Sequence, residues 1–237
     1  MDKTKINKIV IVAAALVVSI MIFYYFEGWL YFSDKYLWYV SLGQKYFEKI
    51  GDKDRALKYA DMAFDINQER PEAHRLMAAA FLKKGLFNKS QEEISSLRVR
   101  GHDAYYYFGM GLISLEQKNF DPSIPYLNKS MENCSSNAVG HLMLSLAYFG
   151  LGDLASALNY LNRSKAIIEG DSKKSLQYKK IQAGIHLLHR EMYQKENMER
   201  KAKEEFEISK SYYSWKISPA IFLMNDLICN KDSDKNP

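Results

Sequence analysis

Apolar positions recur with helical spacing along most of the chain, in pairs of stretches divided by short polar turns. Four stretches set the pattern: YLWYVSLGQKYFEKIGD (36–52), EAHRLMAAAFLKKG (72–85), DAYYYFGMGLISLEQK (103–118) and AVGHLMLSLAYFGLG (138–152). A more polar amphipathic partner follows each, as in GDKDRALKYADMAFDI and GDLASALNYLNRSKAI. The pattern predicts consecutive antiparallel helix pairs and no sheet. One segment breaks it. Ile9 to Phe26, IVIVAAALVVSIMIFYYF, is apolar throughout and carries no charge.

The pairs are also periodic. Turns headed by Gly51, Gly85, Lys118 and Gly152 recur about every 34 residues. A small residue stands five positions into each second stretch (Ala56, Ser90, Ser123, Ala157), and Ala63, Leu97, Ser130 and Ser164 follow seven positions later. The first helices carry an aromatic or His near the start (His74, Tyr105, His141). Further along they carry a small residue (Ala78, Gly109, Ser145) and then Phe81, Leu112 and Tyr148. Leu42, Gly43 and Tyr46 give the earliest stretch the same form. Pro122 and Pro125 make the third repeat the most divergent. A lone amphipathic pair cannot bury its apolar face, whereas stacked pairs share one interior, and small residues let their backbones approach. Residues 172–194 and 196–213 predict a fifth, longer pair with Ala202, Phe206 and Ser209 at signature spacing.

This spacing resembles the tetratricopeptide-repeat (TPR) family. The resemblance implies an all-α, right-handed helical solenoid of about four to five helix pairs over residues 35–217. A capping helix over 218–230, with Ser218 as N-cap and Pro219 at the first helical position, and a polar tail at 231–237 complete the expected order. In this family the first helices line a wall that grips a partner's segment. Carried over residue by residue, the wall is Arg75, Ala79, Leu82, Lys83, Tyr106, Met110, Ile113, Leu142, Leu146 and Phe149. Tyr106 and Phe149 would be anchors, and Arg75 and Lys83 a basic end. The Lys and Asn carboxylate clamp of the chaperone-binding subclass is missing, so that activity is not implied.

The N-terminal segment suits a bilayer. Residues 9–26 span about 27 Å as a helix, and their Ile, Val, Leu and Phe residues favour insertion by roughly 3–6 kcal/mol. Lys3, Lys5 and Lys8 precede the segment, in a basic tail at 1–8, while large residues rather than a cleavage site follow it. An uncleaved signal-anchor is expected, with the N-terminus cytoplasmic and the solenoid on the periplasmic or outer side. Tyr24, Tyr25, Trp29, Tyr31 and Phe32, on either side of the start of a juxtamembrane segment at 27–34, form an interfacial belt.

Composition narrows the function. The chain is 47% hydrophobic and 26% charged with a net charge of +5, and its charges alternate in sign, which reads as solvated helix faces rather than a nucleic-acid stripe. Cys134 and Cys229 form no metal or redox motif. Gly109-Met110-Gly111 lies mid-helix and is no phosphate loop. His186 and His189, with Glu191 near, could hold a metal, but HLLHRE is not the arrangement of a zinc hydrolase. The expectation is a non-enzymatic, cofactor-free protein that binds other proteins: a membrane-tethered scaffold or assembly factor for a membrane or envelope complex. The alternatives are an organelle-surface receptor for targeting peptides and, remotely, a metal-dependent enzyme.

Overall fold

The structure is a computed structural model that describes residues 15–19, 21, 34–132, 137–169, 176–212 and 219–223. The described residues hold helices and no strand. The first repeat is α1 (Lys35–Lys45), extended by a π-helical turn at Tyr46–Ile50, with α2 (Lys53–Phe64). Then come α3 (Pro71–Lys83) with α4 (Phe87–Val99), α5 (Asp103–Glu116) with α6 (Phe120–Met131), and α7 (Ala138–Leu151) with α8 (Leu154–Glu169). The fifth pair is α9 (Leu176–Lys195) and α10 (Glu199–Tyr212), and a single turn, α11 (Pro219–Phe222), follows.

Local chemistry sets the starts. Orphan amides of a first turn need acceptors, and Asp34 Oδ1 takes the Leu37 N–H at 3.0 Å, Asp52 Oδ1 that of Arg55 at 2.9 Å and Asp153 Oδ1 that of Ser156 at 3.0 Å. Asn137 serves Val139 and Gly140 together, at 3.1 Å each. Pro71 opens α3, where its missing N–H loses nothing. Within each pair the turn needs a left-handed residue. Gly51, Gly85 and Gly152 supply it with φ of 75°, 73° and 84°, and Lys118 and Asn197 adopt it with φ of 61° and 58°. Each stands five positions before the small residue of the second helix, so one geometric requirement marks all five repeats. Pro125 lies inside α6, which still begins at Phe120.

The small residues sit where helices touch. Ala56, Ser90, Ser123 and Ala157 are fully buried and Ala202 nearly so. Ser90 Oγ donates to the Ala78 carbonyl at 2.9 Å and Ser145 Oγ to that of Ala157 at 2.6 Å, tying first helix to second. Ser164 Oγ reaches the Ala138 carbonyl at 2.7 Å. Around these contacts Leu76, Ile94, Leu97, Leu112, Leu127, Leu144 and Leu161 are wholly buried, each contributing about 1.5–3 kcal/mol.

Gly109 shows how tight the stack is. A methyl group there would lie 2.6, 2.8 and 2.9 Å from three side-chain carbons of Ile94. Ile94 is β-branched and fully buried, so it has no free rotamer to retreat into. Gly109→Ala is expected to destabilise the chain by about 1–3 kcal/mol in urea unfolding. A loss under a few tenths would mean that α4 and α5 lie farther apart.

The predicted membrane helix falls mostly outside the described residues, as do Tyr24, Tyr25, Trp29, Tyr31, Phe32, Ser218, Cys134 and Cys229. Residues 15–19 are helical, and Leu16, Val17, Val18 and Met21 are exposed. No helix among the described residues is long and apolar enough to cross a membrane.

Candidate functional site

The first helices of the repeats form the face on which a partner would be expected. In the structure the chain's own C-terminal turn lies on it. α11 packs against α3 and α5, rather than extending the stack beyond α10 as a terminal cap would. Ala220, Phe222 and Leu223 are almost completely buried. Both ends of the turn are held through the backbone. Glu116 Oε1, at the end of α5, accepts the Ala220 N–H at 3.2 Å, and Arg75 Nε, in α3, donates to the Leu223 carbonyl at 2.7 Å. The Arg75 guanidinium also lies over the Tyr105 ring, 4.3 Å from its centroid.

Arg75, Ala79, Leu82, Met110, Ile113 and Leu142 are buried, and Lys83, Tyr106, Leu146 and Phe149 are half-buried. Beside Phe222 a cavity of about 120 Å³ remains, lined by Leu142, Leu146, Gly184, Leu188 and Pro219. It approaches the volume of an engineered cavity that admits benzene.

The two ends of the repeat array are also bridged by an ion pair. Lys180 Nζ, on α9, is 2.6 Å from Glu48 Oε1, in the π-helical turn after α1. The partners are 132 residues apart and belong to the first and fifth repeats. Lys180 is buried and Glu48 partly buried, with side chains 4% and 9% exposed. The wider π-turn lies where Glu48 meets α9.

No protein-family model and no curated protein matches the sequence. Solved structures do match. TTC0263, a thermophilic TPR protein in Thermus thermophilus, is 19% identical over 74% of this chain and 90% of its own, with a TM-score of 0.62. A tetratricopeptide repeat protein from Parabacteroides merdae is 14% identical over 84% of this chain and 73% of its own, at 0.63. A chain of the Cut9–Hcn1 hetero-tetramer of the APC/C is 15% identical over 81% of this chain and 36% of its own, at 0.65. The fold is TPR-like.

Within this TPR-like frame two wall residues stand differently from expectation. The ring of Tyr106 meets Tyr107 and the Arg98 guanidinium, at the junction with α4. Its neighbour Tyr105 is the aromatic that meets Arg75. Phe149 lies under the Lys195 ammonium, 4.0 Å from the ring centroid, and its carbonyl accepts from the same group at 3.3 Å.

His74 is a packing residue of the second repeat. Its Nδ1 is 2.8 Å from Glu93 Oε2, its Nε2 is 3.2 Å from the Gln68 carbonyl, and Ser96 Oγ lies 3.0 Å from Nδ1. His141 stacks on Tyr160. The fifth repeat repeats the first of these pairs and adds to it. His186 Nδ1 is 2.6 Å from Glu205 Oε2, and His189 Nδ1 is 4.0 Å from the same oxygen. The acidic member is therefore Glu205, from the facing helix, whereas Glu191 pairs with Arg190 at 3.6 Å. Burial holds the His189 imidazole below its ordinary pKa, against the pull of Glu205. Tyr36, at the junction of the first two repeats, is pushed well above the usual phenol range by its own burial. Its hydroxyl accepts the Ala73 N–H at 3.0 Å.

Proposed function

We propose that this chain is a protein-interaction scaffold, tethered to a membrane through residues 9–26, whose TPR-like face grips a short helical segment of a partner. The observation that carries the reading is the seating of α11. A turn of helix is held by Glu116 at its N-terminal amide and by Arg75 at its C-terminal carbonyl, with apolar side chains buried between. Backbone contacts of this kind suit any segment of similar shape, and apolar pockets select among them. The exposed helical stretch around Leu16, Val17 and Val18 supports the tether. Ser19 Oγ donates to the Ala15 carbonyl at 2.8 Å, which would satisfy that hydroxyl in lipid. A tether keeps the face at a high effective concentration near other membrane proteins, so a modest affinity suffices. The solenoid lies on the periplasmic or outer side, and its partner belongs to a membrane or envelope complex.

The test uses the full chain in native membranes, with a photoreactive residue at position 146. Phe222→Asp, which unseats α11, should increase cross-linking to one defined protein, and the chain should resist carbonate extraction. Extraction by carbonate, or cross-linking that is unchanged by Phe222→Asp, would contradict the reading. Protease protection of the solenoid in intact cells separates it from an organelle-surface receptor facing the cytosol.

A further inference from the structure

We propose that His186, His189 and Glu205 form a binding site for a divalent transition-metal ion, with zinc(II) as the best-suited ion. One ligand atom from each of the three residues falls within 4.8 Å of the others. Their side chains are between 19% and 23% exposed, so an ion could enter and a fourth position could be filled by water or a partner's side chain. Zinc bonds of about 2.0–2.1 Å in a tetrahedron place donors about 3.3–3.4 Å apart. The two distances to Glu205 Oε2, 2.6 and 4.0 Å, lie on either side of that value. The widest separation among the three ligand atoms is up to 4.8 Å, so side-chain rotations that close it by about 1.4 Å would bring all three into place. Two imidazoles and a carboxylate suit zinc, copper and nickel and discriminate against calcium and magnesium.

The second repeat supplies an internal control. His74 and Glu93 occupy the same register as His186 and Glu205, 19 positions apart in both cases. At His74 the histidine is fully buried and both ring nitrogens are satisfied by protein. There the residue three positions on is Met77, buried in the apolar core. In the fifth repeat that residue is His189, and among the described residues neither of its ring nitrogens makes a hydrogen bond. Packing alone is served by methionine at this place. The imidazole therefore adds a donor. The His186 ring is oriented by stacking on Tyr212, at 5.5 Å between centroids and 8° between planes. The Lys165 ammonium, on α8, opposes an incoming ion.

The experiment titrates the purified full chain in detergent with zinc(II) by calorimetry and with cobalt(II) by visible absorption. A single site is expected, with cobalt bands of a low-coordinate nitrogen and oxygen site. His189→Met, which copies the second repeat and so preserves packing, should weaken binding at least tenfold, as should Glu205→Gln. His74→Gln should leave affinity unchanged. Absence of saturable one-to-one binding would overturn the proposal, as would an affinity in His189→Met within twofold of the unmodified chain. Circular dichroism of each variant confirms that loss of binding is not loss of fold.

Discussion

Replacing Glu48 with Ala should lower the stability of the chain by about 3–5 kcal/mol, the largest loss expected of any single change to a polar residue here. Lys180 is 3% exposed, and its ammonium is 2.6 Å from the Glu48 carboxylate. Without its partner it would remain a buried, uncompensated charge, because its Cα is fixed in α9 beside the buried Tyr178 and Ile181. Desolvation is already spent on both ions, so deleting one forfeits the attraction and keeps the penalty. The double change Glu48→Leu with Lys180→Met removes both charges and should be neutral or stabilising. Urea unfolding of the two variants checks this. A single-variant loss below about 1 kcal/mol, in the range of surface pairs, would mean that the first and fifth repeats do not meet. A loss of the expected size in Glu48→Ala that is recovered in the double variant would establish that the ion pair bridges the two ends of the repeat array.

Much of this architecture was legible in the chain, for a physical reason. Each repeat solves the same packing problem, so its solution recurs at a fixed interval. The left-handed turn at Gly51, Gly85 and Gly152 was visible as glycine, and at Lys118 as a place in the register. Ala56, Ser90, Ser123 and Ala157 were visible because close helix approach admits only small side chains. The expected wall residues lie on first helices, but what covers them is not visible in the sequence. Curvature accumulates from small rotations between repeats, and no sequence interval encodes the meeting of Glu48 with Lys180, 132 positions away. α11 reads as a terminal cap because an apolar closing segment would cover the end of the stack as readily as its wall. Its docking on α3 and α5 depends on Arg75, which reads from the sequence as the basic end of a partner groove, and on Glu116, which no motif singles out. Tyr105 and Tyr106 differ by one position, about 100° around a helix, and in the most divergent repeat the register does not show which one turns inward. Glu205 lies on the facing helix, so no spacing within HLLHRE marks it as the partner of His186 and His189, although the His74–Glu93 interval of 19 positions carries the signal.

Arg75→Leu should release the C-terminal turn while leaving the stack intact. The Arg75 side chain is 2% exposed, and its charged hydrogen bond to the Leu223 carbonyl is 2.7 Å long. Hydrogen bonds from charged groups contribute about 1.5–3 kcal/mol, which corresponds to a roughly 10- to 150-fold change in the ratio of released to seated turn. Leucine fills part of the space and spares the core a cavity, so the repeats themselves should lose little. Hydrogen exchange reads the effect locally. The amide of Ala220, held by Glu116, should exchange at least tenfold faster, and amides in the middle of α5 and α7 should not change. Glu116→Gln keeps an acceptor of the same shape and removes only its charge, so its effect should be smaller and in the same direction. If a partner competes for this face, its apparent affinity is reduced by the fraction of chains in which the turn is seated. Arg75→Leu would then raise partner capture by up to the factor seen in exchange, provided that the partner does not itself need Arg75. Phe222→Asp supplies the version that keeps Arg75. Equal gains from the two variants would make Arg75 a clasp for the chain's own turn, and a gain from Phe222→Asp alone would make it a contact shared with the partner. Unchanged protection at Ala220 in Arg75→Leu would show that apolar burial of Phe222 and Leu223 holds the turn without the arginine.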